Sequence, residues 1–326
     1  MRKLKILGIG NALVDIMVLI ENDLIINNLN LPKGGMTLVD GDQSAMIQNE
    51  ISHLNIKIAT GGSVANAING IAGLDVDCGF VGAIGRDELG LLFKNDMFKR
   101  GISLVMKELD LPTGRAVGFI SPGGERTFAT YLGAAIEMGP DDITTELFNG
   151  YDLFFIEGYL VFNHALIMAA ATAAKSAGLT IALDLSSFNV VEANQDILNE
   201  LVDNYIDIIF ANEEEAKSFT GMLPEEALDN LADRCDIAVV KVGKEGAFIK
   251  QGTCKWHIPA VTSSVIDTTG AGDYFAAGFL AGLATGCDLG KCGSIGALMA
   301  GEVIKVIGAE LSDSQWNDVK NRVKSL

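Results

Sequence analysis

The chain has 326 residues, with 24 Lys plus Arg against 42 Asp plus Glu and a formal net charge of −18. That length suits one large α/β domain or two smaller ones, with ample core. The acidity argues against nucleic acid and anionic membrane as partners, because both demand basic surface. It also implies that any phosphate is met by backbone N–H groups, a metal and a few Lys or Arg. Five cysteines without Cys-x-x-Cys spacing and three scattered histidines argue against a disulfide framework or a zinc site, and for a reducing, cytoplasmic setting.

Residues 4–10 form a continuous apolar run ending in glycine, which predicts a buried strand. The start is basic, but the run behind it is cut by Gly8, Gly10, Asn11 and Asp15, so it reads as a first strand and not as a leader. Gly8-Ile9-Gly10 invites a dinucleotide reading, yet the third glycine would fall at Leu13 and no helix follows. Residues 14–20 and 34–40 read as extended pieces. Residues 60–67 place Gly61 and Gly62 in a turn that enters a helix of small side chains, where a ligand or another backbone can come close. Asn66 either points its amide into that space or is solvated beside a tight helix contact.

The run 76–84 predicts a strand. Residues 114–120 and 126–132 flank Pro122-Gly123-Gly124, a hairpin signal. With 14–20 and 34–40 they are expected to form a small antiparallel β lid, drawn from about 14–40 and 113–132. The second half alternates plainly, with strands at 153–156, 180–184, 206–211 and 237–242 and helical stretches such as 165–176 between them. This predicts an α/β fold, doubly wound around a mostly parallel sheet, with ligands at the strand C-termini near Asp15, Glu157, Asp184, Asn212, Lys241 and Asp273. The longest apolar segment, 165–174, is too short to span a bilayer. With no repeat or low-complexity linker, residues 1–326 read as one domain plus its lid.

Three glycine or acidic turns carry chemistry. Residues 267–273 read Asp-Thr-Thr-Gly-Ala-Gly-Asp, after a β-branched run at 261–266 that reads as a strand end and before an apolar helix at 274–283. Gly270 and Gly272 then open a helix N-terminus, whose unpaired N–H groups and dipole suit an anion. A carboxylate beside that anion is repelled unless it takes a proton from whatever attacks the phosphate, which is the task Asp273 fits. The plainer reading is that many helices begin this way, with Asp as a dipole partner. Asn212-Glu213-Glu214-Glu215 follows a strand and opens a helix. It is either a capping box or, beside the phosphate turn, a magnesium pair of Asn212 and Glu215 acting through water. Residues 241–246 form a third glycine loop, with Lys241, Gly243 and Gly246, that covers a nucleotide or simply turns the chain. No Gly-x-x-x-x-Gly-Lys-Ser/Thr occurs, which excludes a P-loop NTPase.

Together these motifs resemble the ribokinase-like (PfkB) carbohydrate and nucleoside kinases. The stretch 267–275 is similar to their C-terminal signature, 61–66 to their N-terminal signature, and Asn212-x-x-Glu215 to their magnesium-associated motif. Residues 10–15 and the length point to the adenosine kinase-like branch. The resemblance implies an ATP-dependent kinase acting on a hydroxyl of a sugar or nucleoside, as a monomer or homodimer. It implies Asp273 as general base, Gly270, Ala271 and Gly272 as anion hole, and Arg126 as a lid residue approaching the transferred phosphate. Asn11, Asp15, Gly61, Gly62 and Asn66 would bind the acceptor, and Asp267 with Thr269 would help hold a potassium ion. Asn212, Lys241, Gly243, Gly246, Ser294 and Ala297 would form the nucleotide site. Glu157 stands where animal adenosine kinases carry a small apolar residue, whereas Tyr159 suits a stacked base. Giving the acid more weight, the reading is a small sugar as acceptor, with a nucleoside as the alternative. A non-catalytic sensor on the same fold is the competing class, and a dinucleotide oxidoreductase rests on Gly8-x-Gly10 alone.

Overall fold

Short apolar runs closed by glycine or a polar residue become strands throughout the computed structural model, which describes residues 3–122, 125–261 and 264–326. In chain order these are β1 (Ile6–Ile9), β2 (Leu13–Leu19), β3 (Met36–Leu38), β4 (Ile56–Gly61), β5 (Cys78–Gly85), β6 (Ser103–Leu109), β7 (Gly114–Ile120) and β8 (Arg126–Tyr131). The second half supplies β9 (Leu153–Glu157), β10 (Thr180–Asp184), β11 (Ile208–Asn212), β12 (Ile237–Lys241), β13 (Ala247–Gln251) and β14 (Cys254–Ile258). The predicted turn at Gly123-Gly124 lies outside the described residues.

Among the described residues nine strands form one sheet in the order β14-β13-β12-β11-β10-β9-β1-β5-β6. From β12 to β6 every pairing is parallel, and only β12-β13-β14 runs antiparallel. Helices cover both faces, so the central strands are apolar on both sides. In β9, Leu153 and Phe155 enter one core with Ile6 and Phe210, while Phe154 and Ile156 enter the other with Leu7 and Ile9. The smaller sheet is the lid, ordered β3-β8-β7-β2-β4. Its β2-β4 and β7-β8 pairs are antiparallel, and its β2-β7 and β3-β8 pairs parallel.

Four strands escaped the sequence reading: β4, β6, β13 and β14. Of these, β4, β6 and β14 are sheet edges. Edge strands bury little and carry charge, as Lys57, Lys107 and Lys255 do here, which blurs the period-two signal. The predicted strand end at 261–266 is a correction. Thr262 and Ser263 lie outside the described residues, and beyond them the chain is irregular, with Val265 and Ile266 61% and 56% exposed. The N–H groups of Ile266 and Asp267 both reach the carbonyl of Ile304, at 2.8 and 3.1 Å, so no ladder forms.

Gly8 and Gly10 have a packing explanation. A Cβ on Gly8 would stand 2.6 Å from Ile68 and 2.7 Å from Val64, so the glycine lets helix Ser63–Gly73 lie directly on β1. A Cβ on Gly10 would overlap the Glu157 carboxylate. All five cysteines are free thiols. Among the described residues no helix is long and apolar enough to cross a membrane.

Candidate active site

Glu157, Asp184, Asn212 and Lys241 are the last residues of β9, β10, β11 and β12, four neighbours in the sheet. Their carboxylates, amide and ammonium therefore line up along its C-terminal edge, where parallel α/β sheets take ligands. A cavity of about 1000 Å³ opens there, lined by Tyr159, Asp184, Asn212, Lys241, Gly243, Gly246 and Ala297 and by Ala271, Gly272 and Asp273. Ser294 does not join them. Its hydroxyl turns back to the Gly290 carbonyl at 2.9 Å, the usual fate of a mid-helix serine.

The turn at the heart of the site begins helix Ala271–Ala284, with Gly270 as N-cap at φ 76°. That left-handed conformation favours glycine, and a Cβ would also meet Ala309 at 2.7 Å. The Ala271 N–H bonds to the Thr268 carbonyl. Among the described residues those of Gly270, Gly272 and Asp273 have no protein acceptor, so three donors and the positive end of a 14-residue helix face one place.

Asp273 sits on that turn with both oxygens aimed. One accepts from Ser63 Oγ at 2.8 Å and the other from Asn66 Nδ2 at 3.0 Å. Burial pushes its pKa up to about 6, outweighing the two hydrogen bonds that favour the ionised form. A carboxylate poised near neutrality is what a general base needs. Ser63 is the residue that sequence reasoning missed, although it lay inside the 61–66 motif. Asn66 turns out to be fixed by Asp273, with its own side-chain oxygen buried and unpartnered.

Asp15, on lid strand β2, lies against Gly61 so closely that no side chain fits there. Burial, with Asp273 and Asp267 nearby, raises its pKa to about 7. Among the described residues its carboxylate has no hydrogen-bond partner, although it is 6% exposed. Gly62, at φ 99°, brings the backbone against the Asn11 carbonyl and caps helix Ser63–Gly73.

Glu157 is placed differently from its neighbours. It accepts from Asn11 N–H and Nδ2 at 3.3 and 2.7 Å and from Val64 N–H at 3.2 Å. It is 1% exposed, and burial lifts its pKa to about 7 against those bonds. It braces β1, β9 and the helix start, and the donors of Asn11 serve it too. Tyr159, whose pKa burial also raises, lines the large cavity with Asp184 and Lys241.

From β8, Arg126 reaches down to the turn, pairing with Asp267 at 2.9 Å and Thr268 Oγ1 at 3.0 Å. Its Nε is buried without a partner. Asp267 also accepts from the N–H groups of Thr269 and Gly308 at 2.7 and 2.8 Å. A potassium ion at Asp267 and Thr269 therefore fits only if Arg126 moves away.

The magnesium pair closes as a cap. Glu215 Oε2 and Oε1 accept from Asn212 N–H and Nδ2, both at 2.7 Å, and Asn212 Oδ1 accepts from Glu215 N–H at 2.8 Å. Burial, then Asp184, raises the Glu215 pKa to about 7. Both Glu215 oxygens are engaged by Asn212. Among the described residues no three His, Cys, Asp or Glu are grouped to hold a metal. A magnesium ion carried in by a triphosphate and kept largely hydrated does fit the acidic lining.

The pfkB family carbohydrate kinase profile matches residues 39–316. A protein from Rhizobium etli described as a probable sugar kinase shares 33% identity and superposes with a TM-score of 0.89 over 99% of both chains. The crystal structure of adenosine kinase from Sinorhizobium meliloti also shares 33% identity at a TM-score of 0.89, covering 98% of this chain and 99% of that one. Adenosine kinase from Saccharomyces cerevisiae is 28% identical over 325 residues, 92% of this chain and 94% of that one.

Proposed function

For a chain that belongs to the pfkB family of carbohydrate kinases, and so is a sugar or nucleoside kinase, we propose that the acceptor is a ribonucleoside and that Asp273 is the base. One observation carries the acceptor. Strand register puts Asp15, Ala116, Thr130 and Leu38 on one face of the lid, with Phe128 and Met36 beside them. Leu38 and Met36 are 55% and 49% exposed, and Arg126 shares this face through its pairing with Ile120. An unpartnered carboxylate next to an apolar shelf suits a molecule with adjacent hydroxyls at one end and a flat apolar ring at the other. Glu157 no longer favours a free sugar, because its oxygens are committed to Asn11 and Val64.

In this reading ATP enters the large cavity with its terminal phosphate at the N–H groups of Gly270, Gly272 and Asp273. The acceptor oxygen attacks the γ-phosphorus and gives its proton to Asp273. The phosphorus–oxygen bond to ADP breaks, and its electron pair stays on ADP. Ser63 and Asn66 hold Asp273 in line, and the turn's donors take up charge on the phosphoryl oxygens, typically the largest single contribution in such transfers. Asn212 and Glu215 would hold, through water, a magnesium ion bound with the triphosphate, which would supply charge neutralisation at the phosphates. Arg126 exchanges Asp267 and Thr268 for the phosphoryl group, and Asp267 with Thr269 would then be free to hold a potassium ion. A potassium titration of turnover against an ionic-strength control reads that last step. Residues 1–326 work as one kinase domain, body and lid together.

A thermal-shift panel tests the acceptor. Nucleosides are expected to stabilise the wild-type protein but not Asp15→Ala, which still responds to a non-hydrolysable ATP analogue. Discrimination against nucleosides lacking the paired hydroxyls can reach about 10⁴-fold, since Asp15 is then left unpaired. Stabilisation by free sugars and not by nucleosides would overturn the choice.

A further inference from the structure

We propose that Lys241 is a catalytic residue of the transfer itself, delivering positive charge to the moving phosphoryl group, and that Asp184 is the residue that positions it. The proposal rests on the phosphoryl-transfer reading above and assigns a role beyond nucleotide contact.

The first observation is place. A Cβ on Gly272 would stand 3.2 Å from Lys241 Nζ, so the ammonium lies over the middle of the anion turn, one residue from Asp273. The second is charge. Among the described residues five carboxylates line the cavity: Asp184, Glu213, Glu214, Glu215 and Asp273. Among the described residues the only cations on its wall are Lys241 and Lys244, and Lys244 is exposed at the rim. With Arg126 held by Asp267 on the lid side, the cation on the cavity wall that a triphosphate meets below the rim, in a protein of net charge −18, is Lys241.

The third observation is what the ammonium leaves open. Its single hydrogen bond runs to Asp184 Oδ2 at 2.8 Å, and the side chains are 14% and 6% exposed. Two of its three N–H bonds have no protein acceptor among the described residues. Asp184 is itself clamped, its Oδ1 accepting from Ser186 N–H at 2.9 Å. Ser186 adopts a left-handed φ of 65°, uncommon for a non-glycine residue, and its hydroxyl accepts from Gly158 N–H at 2.9 Å. The anchor is therefore rigid and its cation only partly used. A buried ion pair with no other task is commonly replaceable by apolar residues without loss. One that keeps two donors facing a phosphate turn has a ligand to meet.

Charge grows on the phosphoryl oxygens and on the leaving oxygen of ADP as the bond between them breaks. A donor already fixed in a site of low dielectric acts mostly on that state, and removing one such donor typically costs about 10²–10³-fold in turnover.

The test compares Lys241→Met, Lys241→Arg and Asp184→Asn with the wild type. The readouts are kcat, the KM for ATP, affinity for magnesium and ADP, and affinity for magnesium, ADP and aluminium fluoride with adenosine as probe. Lys241→Met is expected to lower kcat about 10²–10³-fold and to weaken the fluoride complex in step, while ADP affinity stays near wild type. Lys241→Arg should recover part of kcat, and Asp184→Asn should lose less than Lys241→Met. Where Lys241→Met does not fold because Asp184 is orphaned, the double variant Lys241→Met/Asp184→Asn gives the same readings. Unchanged kcat, or a rise in KM matched by loss of ADP affinity, would overturn the proposal. Asp273→Asn, measured beside them, separates the two failures. If it loses turnover while Lys241→Met does not, only the role of Lys241 is wrong; if neither loses turnover, the reading of the whole site is wrong.

Discussion

Replacing Asp273 by Asn should remove the proposed base and strengthen the fold at the same time. The carboxylate makes two hydrogen bonds, from Ser63 Oγ and Asn66 Nδ2. An amide keeps its oxygen toward Asn66 and turns its NH₂ toward Ser63, whose hydroxyl rotates to accept, so neither bond is lost. The rise in pKa from 3.8 to about 6, at 1.36 kcal/mol per pKa unit, makes the ionised form cost about 3 kcal/mol above pH 6. Because the group borders an open cavity, about 1–2 kcal/mol of that survives solvent screening. At pH 8 the variant should therefore melt a few degrees above the wild type, and near pH 5 the gap should shrink. Turnover should fall about 10²–10⁴-fold, the usual range for a lost general base. Differential scanning calorimetry at the two pH values, with steady-state kinetics on the same samples, reads both. More than a tenth of wild-type turnover would refute the base, and a lower melting temperature at pH 8 would refute the account of its burial.

The other expectations concern the cap and the buried acids. Glu215→Gln puts a donor where Asn212 Nδ2 already donates, so it should cost about 0.5–2 kcal/mol of stability. The magnesium concentration for half-maximal rate should move by less than about threefold, since the ion keeps its waters; a large rise with no loss of stability would instead make Glu215 a ligand. Asp15, Glu157 and Glu215 each have pKa values raised to about 7, and Asp273 to about 6. The folded protein thus holds protons that the unfolded chain releases near pH 4, and the stability this gives is lost as pH rises through 6 and 7. The ligand-free melting temperature should fall between pH 5 and pH 8, and a rise across that window would contradict the burial of these groups.

The motifs of this site were legible because phosphate chemistry needs glycine turns at helix starts, and these leave clear local patterns. Gly270, Gly272 and Asp273 fall where the seven-residue stretch placed them, and Lys241, Asn212 and Asp184 end adjacent strands as the alternation implied. What the sequence hid was partnership across long separations. Nothing local says that Glu157 serves the backbone of Asn11 and Val64, so its charge was weighed as if it faced the acceptor. Nor does a single serine announce a bond to a carboxylate 210 positions away. Gly8 and Gly10 mislead in the same way, being small for the sake of Ile68, Val64 and Glu157 and not for a cofactor. The edge strands β4, β6 and β14 were lost because exposure removes the pattern by which strands are read.

The central claim is that this kinase moves the γ-phosphate of ATP to a nucleoside hydroxyl. Phosphorus NMR of wild-type protein incubated with magnesium, ATP and either adenosine or ribose tests it most directly. The account predicts a new phosphomonoester resonance and matching ADP with adenosine, little with ribose, and none with Asp273→Asn. A phosphomonoester formed from ribose alone would contradict it.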